Sequence, residues 1–224
     1  MTAEPDPAAA SLMTPADLGG PPTRVYVVRH GETDWNVAGR IQGHTQTSLN
    51  DRGRLQARQA ARLLAGRGIR HIWSSDLNRC IETAEMISQA VGVRFDTTPA
   101  LRERDFGGLS GSAIAEAAKL RDAAVRTEAD PTEWSGVPGV ESDGRMSERL
   151  WAFVNPVVAR HAGQTLLLVT HGGVLRVLMC DVLGIAAGKP WRAVLRNAAV
   201  NLFEVHAGVW RLRTFGLEPE PEQA

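Results

Sequence analysis

Val25-Tyr26-Val27-Val28-Arg29-His30-Gly31-Glu32 decides the fold of this chain. Four consecutive apolar residues, two of them flanking an aromatic ring, predict a strand buried on both faces, the pattern of a parallel sheet covered by helices. Gly31 ends the strand and permits a sharp turn. Arg29 and His30 therefore stand at the strand's C-terminal end, where ligands bind in open α/β sheets. Arginine offers a planar fork of donors suited to phosphate oxygens. Histidine can attack phosphorus and carry the group on a ring nitrogen.

Outward from this strand, β and α patterns alternate. Asn50 is placed to cap a helix over 51–65, with Ala57, Ala60, Ala61 and Leu64 on one face. A strand is expected at 69–74, a helix at 77–91 stopped by Gly92, and a short strand at 93–95. Residues 110–126 are Ala-rich and expected to be helical, and 130–139, with two prolines and two glycines, a loop. A helix follows over 143–161, in which Pro156 should make a kink or mark the true end. Leu166-Leu167-Leu168-Val169 is a strand, Gly172-Gly173 opens a helix through Val182, and 200–205 with 209–214 form a closing pair around His206-Ala207-Gly208. The alternation predicts an α/β three-layer sandwich with a mainly parallel central sheet flanked by helices. A single domain over 23–216 is expected, preceded by a Pro/Ala/Gly-rich flexible leader (1–22) and followed by a flexible acidic tail (217–224).

Composition limits the functions available. The chain has 224 residues, and 25 Lys+Arg balance 25 Asp+Glu. No net basic field draws it to nucleic acid or anionic lipid, and no apolar run reaches membrane-span length, so neither partner is expected. Two cysteines, Cys80 and Cys180, lack disulfide-framework or metal-site spacing, which fits a reducing cytoplasm and no metal. The absence of Lys or Arg before Arg24 makes the N-terminus a poor signal peptide.

Further signals match the first. Ile72-Trp73-Ser74-Ser75 runs into a helix carrying Arg79, a second guanidinium at a second strand end. Thr170-His171-Gly172-Gly173 repeats the opening arrangement, and the helix it starts can aim backbone N–H groups at an anion. Leu101-Arg102-Glu103-Arg104 offers a carboxyl group on a loop, although this charge run is also compatible with a solvated face.

Val28-Arg29-His30-Gly31-Glu32-Thr33 with Trp35-Asn36, Ser74-Ser75-Asp76-Leu77-Asn78-Arg79 with Thr83, Leu101-Arg102-Glu103-Arg104 with Gly107 and Gly111, and Thr170-His171-Gly172-Gly173 follow one another in order. In this the sequence resembles the histidine phosphatase superfamily, also called phosphoglycerate mutase-like, branch 1. The resemblance implies that His30 accepts the phosphoryl group and that Arg29, Arg79 and His171 clamp its oxygens, His171 matching the transition-state charge if protonated. It implies that Glu103 handles the leaving-group proton, and that Asn36, Gln42, Gly43 and Gly172 line the phosphate site. No metal is implied. His44, His71, His161 and His206 are expected at the surface, with His161 suited to a helix C-terminus.

The stretch 112–134 is shorter than the insertion of the family's mutases and holds only the separated Arg121 and Arg126. Arg40-Ile41-Gln42-Gly43-His44 looks like the phosphatase members. Pro138-Gly139-Val140-Glu141-Ser142 resembles their Pro-Gly-Gly-Glu-Ser segment, with Val140 in place of a glycine. A phosphatase of small phosphorylated metabolites is the expectation. The alternative is a 2,3-bisphosphoglycerate-dependent phosphoglycerate mutase, the only case in which a cofactor is implied; a silent phospho-ligand-binding module is a third. Lys189-Pro190-Trp191-Arg192 and 197–201 are expected near the pocket wall, and the strand at Val200 offers an edge for a homodimer.

Overall fold

The structure, a computed structural model, describes residues 20–125, 134, 137–185 and 193–218. The leader up to residue 19, Arg126, the segment Lys189-Pro190-Trp191-Arg192 and the tail beyond 218 lie outside the described residues.

The opening run is strand β1 (Thr23–Arg29). Its side chains divide between two cores, as the strand's two-residue period requires. Val25 and Val27 pack with Leu166, Leu168, Met146, Leu150 and Leu175, whereas Tyr26 and Val28 pack with Leu167, Val169, Ala61, Leu64, Ala84 and Ile87. Both faces of β1 are apolar because helices cover both. On one side lie α2 (Asp51–Leu64) and α3 (Asn78–Val91); on the other lie α5 (Asp143–Arg160) and α6 (Gly172–Leu183). Before α2 comes the single turn α1 (Asp34–Val37), and between α3 and α5 comes α4 (Ile114–Val125). The remaining strands are β2 (Ile69–Ser75), β3 (Phe95–Thr98), β4 (Thr165–Thr170), β5 (Val200–His206) and β6 (Val209–Leu217).

The sheet order is β3-β2-β4-β1-β5-β6. β3, β2, β4 and β1 are mutually parallel, and β5 and β6 complete the sheet antiparallel. β4 inserts between β1 and β2, so the C-terminal ends of three neighbouring parallel strands converge on one rim. This is the expected three-layer α/β sandwich.

Local differences have local causes. The third strand begins at Phe95, because Val93 is tied back to α3 through Ser88 Oγ donating to its carbonyl (2.7 Å). α4 starts at Ile114 because Gly111 and Ser112 pair instead with Ile41: Gly111 N donates to Ile41 O (2.8 Å) and Ile41 N to Ser112 O (2.9 Å). α5 continues through Pro156. Pro156 and Ala152, the residue whose carbonyl would have received the missing N–H, both face solvent, so water can replace that bond. Gly31 proves necessary for a different reason from a sharp turn. Its φ is ordinary, but a Cβ there would overlap Gly53 O and stand 2.9 Å from Gly53 C. The start of α2 thus packs backbone to backbone on the strand end.

β5 is hydrogen-bonded on both sides, to β1 and β6, so Val200 offers no free edge; the open edges are β3 and β6. β6 extends to Leu217, and Glu218 pairs with Arg196 at 3.2 Å, carrying ordered structure past the expected boundary at 216. Among the described residues no helix is long and apolar enough to cross a membrane.

Candidate active site

The register Arg29↔Thr170 between β1 and β4 sets the two histidines that follow these strands beside each other. His30 N donates to Thr170 O (2.9 Å), and the imidazole centroids are 5.2 Å apart. His30 is 2 % exposed and lines the cleft described below. Its Nδ1 lies 2.7 Å from Gly31 O, a carbonyl that can only accept, so Nδ1 carries the proton and Nε2 keeps its lone pair. Burial, then the charges of Arg79 and Arg29, hold its pKa well below the ordinary value, and the ring is neutral.

Arg79 and His171 form a second buried unit. Arg79, on the first turn of α3, donates through Nη1 to Thr45 O (2.9 Å), through Nη2 to Gly43 O (2.8 Å) and through Nε to His171 Nδ1 (3.2 Å). The loop carbonyls fix the guanidinium plane. Accepting from Arg79 requires that His171 Nδ1 be unprotonated, while Nε2 lies 2.8 Å from Ser75 Oγ and 3.3 Å from Cys80 Sγ. Burial, then Arg79, lowers the His171 pKa strongly. The ring is thus neutral, fully buried and engaged at both nitrogens, so the condition of protonation on its charge-matching role is not met. Cys80, also fully buried, has its thiol pushed up to about 12, chiefly by burial, and is inert at neutral pH.

Arg29 donates through Nη1 to Leu195 O, while its buried Nε has no hydrogen-bond partner among the described residues. Burial lowers its pKa, yet a guanidinium remains charged at neutral pH. A buried N–H without an acceptor is an incomplete site for an anion. Sequence reasoning placed 197–201 only loosely, but the junction before β5 is built into this rim. Asn197 Nδ2 donates to His30 O (3.0 Å) and Ala198 N to Arg29 O (2.9 Å). Ala198 holds φ +56, uncommon for a residue with a Cβ.

Glu103 is reached from the loop after β3. Oε1 accepts from Arg104 N (2.8 Å) and Oε2 from Gly173 N (3.1 Å). The start of α6, expected to present free N–H groups to a ligand, thus gives this one to the protein's own carboxylate. Of the neighbouring charges, Asp105 faces solvent, but the two arginines are held in ion pairs. Arg102 pairs bidentately with Asp76 (2.6 Å for both bonds), and the 2 %-exposed Arg104 reaches Asp143 and Glu141 O. His44, expected at the surface, places Nε2 2.9 Å from Glu103 O. Val140 in place of glycine leaves the segment's connections intact: Ser142 caps α5 and Glu141 pairs with Arg149 at 2.7 Å. Burial disfavours the Glu141 carboxylate, but hydrogen bonds and charge from Arg149 outweigh it and lower the pKa. His161 has its pKa lowered by burial, His71 and Arg160, opposite to the macrodipole effect; it stacks on His71 at 3.9 Å.

A cleft of about 220 Å³ opens over this rim, lined by Arg29, His30, Asn36, Gln42, Gly43, Arg79 and Glu103 at its polar end. Phe106, Ile114 and Trp134 form an apolar outer wall, and Arg40 stands at the mouth. Of the expected site residues, only His171 and Gly172 do not line it. Asn36 caps α1, with Oδ1 taking Thr33 N at 3.1 Å, and Gln42 Oε1 accepts from Thr47 Oγ1 at 2.6 Å. The outer wall had no sequence signal beyond its residue types. The Arg121 guanidinium lies over the Trp134 ring, 5.5 Å from its centroid.

An open α/β sheet with two histidines, two arginines and a carboxylate on one rim is the architecture of the histidine phosphatase superfamily (branch 1). The family's model matches residues 25–218, and the chain belongs to that family. It is an enzyme of phosphatase or mutase type. A Proteus mirabilis protein named "Probable phosphoglycerate mutase GpmB" is 39 % identical over 187 residues, covering 84 % of this chain and 87 % of that one. Phosphoglycerate mutase-like protein 4 of Arabidopsis thaliana is 36 % identical over 196 residues, covering 86 % and 84 %. Among solved structures, a mycobacterial glucosyl-3-phosphoglycerate phosphatase in complex with VO3 superposes with a TM-score of 0.75 at 30 % identity, covering 87 % of this chain and 98 % of that one.

Proposed function

We propose that this protein is a metal-independent phosphatase that hydrolyses small phosphomonoesters through a phosphohistidine on His30. The observation that carries this is the tautomer of His30. Its Nδ1–H is spent on Gly31 O, so Nε2 is the free nucleophile, beside the unpartnered Nε of Arg29 and the anchored guanidinium of Arg79.

In the first step Nε2 attacks phosphorus, the P–O ester bond breaks, and protonated Glu103 gives its proton to the departing oxygen. Each Glu103 oxygen accepts one amide N–H and keeps a lone pair that can hold that proton. In the second step water attacks phosphorus, the P–N bond breaks, and Glu103 takes the water's proton. Arg29 and Arg79 match charge on the transferring group without metal. Neutral His171 holds Arg79 in place from beneath. Asn36, Gln42 and Gly43 border the phosphate; Gly172 acts through the backbone against which Arg29 lies.

In favour of hydrolysis over mutase chemistry, the 112–134 stretch is shorter than the insertion of the family's mutases and holds no adjacent pair of arginines. The mycobacterial protein that this chain resembles at 30 % identity is a glucosyl-3-phosphoglycerate phosphatase. No bisphosphoglycerate cofactor, membrane or nucleic-acid partner is needed. Two unpaired cysteines favour a reducing, cytoplasmic setting. A homodimer, if formed, would use the β3 or β6 edge or a helical face.

The test is to feed 32P-labelled ester, quench in alkaline detergent, and digest. Label is expected on the peptide containing His30 and absent from His30→Ala. Fast interconversion of 3- and 2-phosphoglycerate with trace 2,3-bisphosphoglycerate, with little free phosphate, would replace this proposal by the mutase.

A further inference from the structure

Beside the Arg102–Asp76 and Arg104–Asp143 pairs, the loop that carries Glu103 is gripped by an ion pair two turns into α5. Arg149 donates Nη1 to Ala100 O (2.8 Å) and Nη2 to Glu103 O (3.2 Å), so one guanidinium spans both ends of the Ala100–Glu103 segment. The same guanidinium is paired with Glu141 through Nε (2.7 Å) and Nη2 (2.9 Å). Glu141 in turn grips the loop's far side: Oε2 accepts from Asp105 N (3.1 Å), and its own N–H donates to Asp105 O (2.8 Å). The loop is therefore fixed at 100, 103 and 105 by two side chains that do not line the cleft.

We propose that the Glu141–Arg149 pair is the positioning device for the general acid, setting where the Glu103 carboxyl meets the leaving oxygen. This rests on the assignment of Glu103 as proton donor. The Glu103 carboxylate has only two anchors of its own. One, Gly173 N, is fixed by α6. The other, Arg104 N, belongs to the gripped loop and moves with it. Loss of Arg149 removes the donor to Ala100 O, leaves the Glu103 carbonyl to His44 Nε2, and takes from Glu141 its paired cation. A displacement of the order of 1 Å in a proton donor suffices to cost about 100-fold. Because the pair touches neither the phosphoryl group nor His30, the loss should follow the demand for the proton.

The experiment measures kcat/KM, which reports the phosphorylation step, for 4-nitrophenyl phosphate, phenyl phosphate and an alkyl phosphate. The enzymes are wild type, Arg149→Met, Arg149→Lys, Glu141→Gln, Glu103→Gln and the Arg149→Met/Glu103→Gln double variant. Arg149→Met is expected to lose about 30- to 100-fold on the alkyl ester and far less on the nitrophenyl ester, whose leaving group needs little protonation. Glu141→Gln, nearly isosteric, should show the same tilt at smaller amplitude, and Arg149→Lys should restore part of it. In the Glu103→Gln background, Arg149→Met should add less than about threefold, since the group it positions is gone. Equal losses across leaving groups in Arg149→Met and Glu141→Gln, or full multiplicative loss in the double variant, would overturn the proposal. If Arg149→Met does not fold, Glu141→Gln and Arg149→Lys decide it by the same criterion. A tilt in Glu103→Gln with none in the pair variants removes this proposal alone; a flat Glu103→Gln profile removes the proton-donor assignment and this proposal with it.

Discussion

Gly173→Ala should separate activity from stability at one methyl group. A Cβ built on Gly173 overlaps Glu103 Oε1 and stands 3.2 Å from Cδ and 3.4 Å from Met146 Cε. The obstacle is the far end of a flexible side chain, so the fold can yield, but only by moving the carboxylate back about 1 Å and surrendering its bond from Gly173 N. The helix gains about 0.5–1 kcal/mol from losing a glycine. The lost amide–carboxylate bond costs about 1.5–3 kcal/mol. The net change is about −1.5 kcal/mol, or a Tm fall of about 3–6 °C for a domain of this size. The proton donor, however, is displaced, which is worth about 100-fold in kcat/KM, or roughly 2.7 kcal/mol of barrier. The assay pairs a thermal melt with kcat/KM on an alkyl phosphate. Retention of alkyl phosphatase activity within about threefold in Gly173→Ala would refute the placement of Glu103 as acid.

Other outcomes follow from the same geometry. His30 and His171 are both held neutral in the fold, so the unfolded chain binds more protons below about pH 6.5. Their contribution is fully present above that pH and is lost as pH falls, by up to about 1.4 kcal/mol per histidine per pH unit. Urea unfolding at pH 7.5 and 5.5 measures it, and His171→Gln should lessen the slope. Arg79→Ala should raise KM and lower kcat together, and also destabilise by about 3 kcal/mol, because the Gly43 and Thr45 carbonyls lose their donor; denaturant melts and steady-state kinetics check both. Native protein treated with a thiol reagent should keep its activity and leave Cys80 unmodified by peptide mapping, since that thiol is buried and protonated.

Local pattern carried much of the fold. Asn50 and Ser142 cap α2 and α5 where the sequence placed helix starts, because a cap is settled within three residues by one side chain. The polar end of the cleft was legible for the same reason: arginine and histidine follow apolar strands, and strand ends meet at the rim of a parallel sheet. The charge run 102–105 was not legible. Alternating Arg, Glu, Arg and Asp carry no local mark distinguishing a solvated face from a pinned loop. Their partners are Asp76, Gly173, Asp143 and Glu141, brought near only by the chain's path.

Residue periodicity and nearest neighbours are enough to show which strand is buried on both faces, where α2 and α5 begin, and which histidine and arginines reach the rim. The neutral state of the His171 ring, the need for glycine at 31 and the clamp on Glu103 come from long-range packing. Each of these arises from atoms far apart in the chain, set within hydrogen-bonding or van der Waals distance by the insertion of β4 between β1 and β2 and by the packing of α2, α3, α5 and α6 around them.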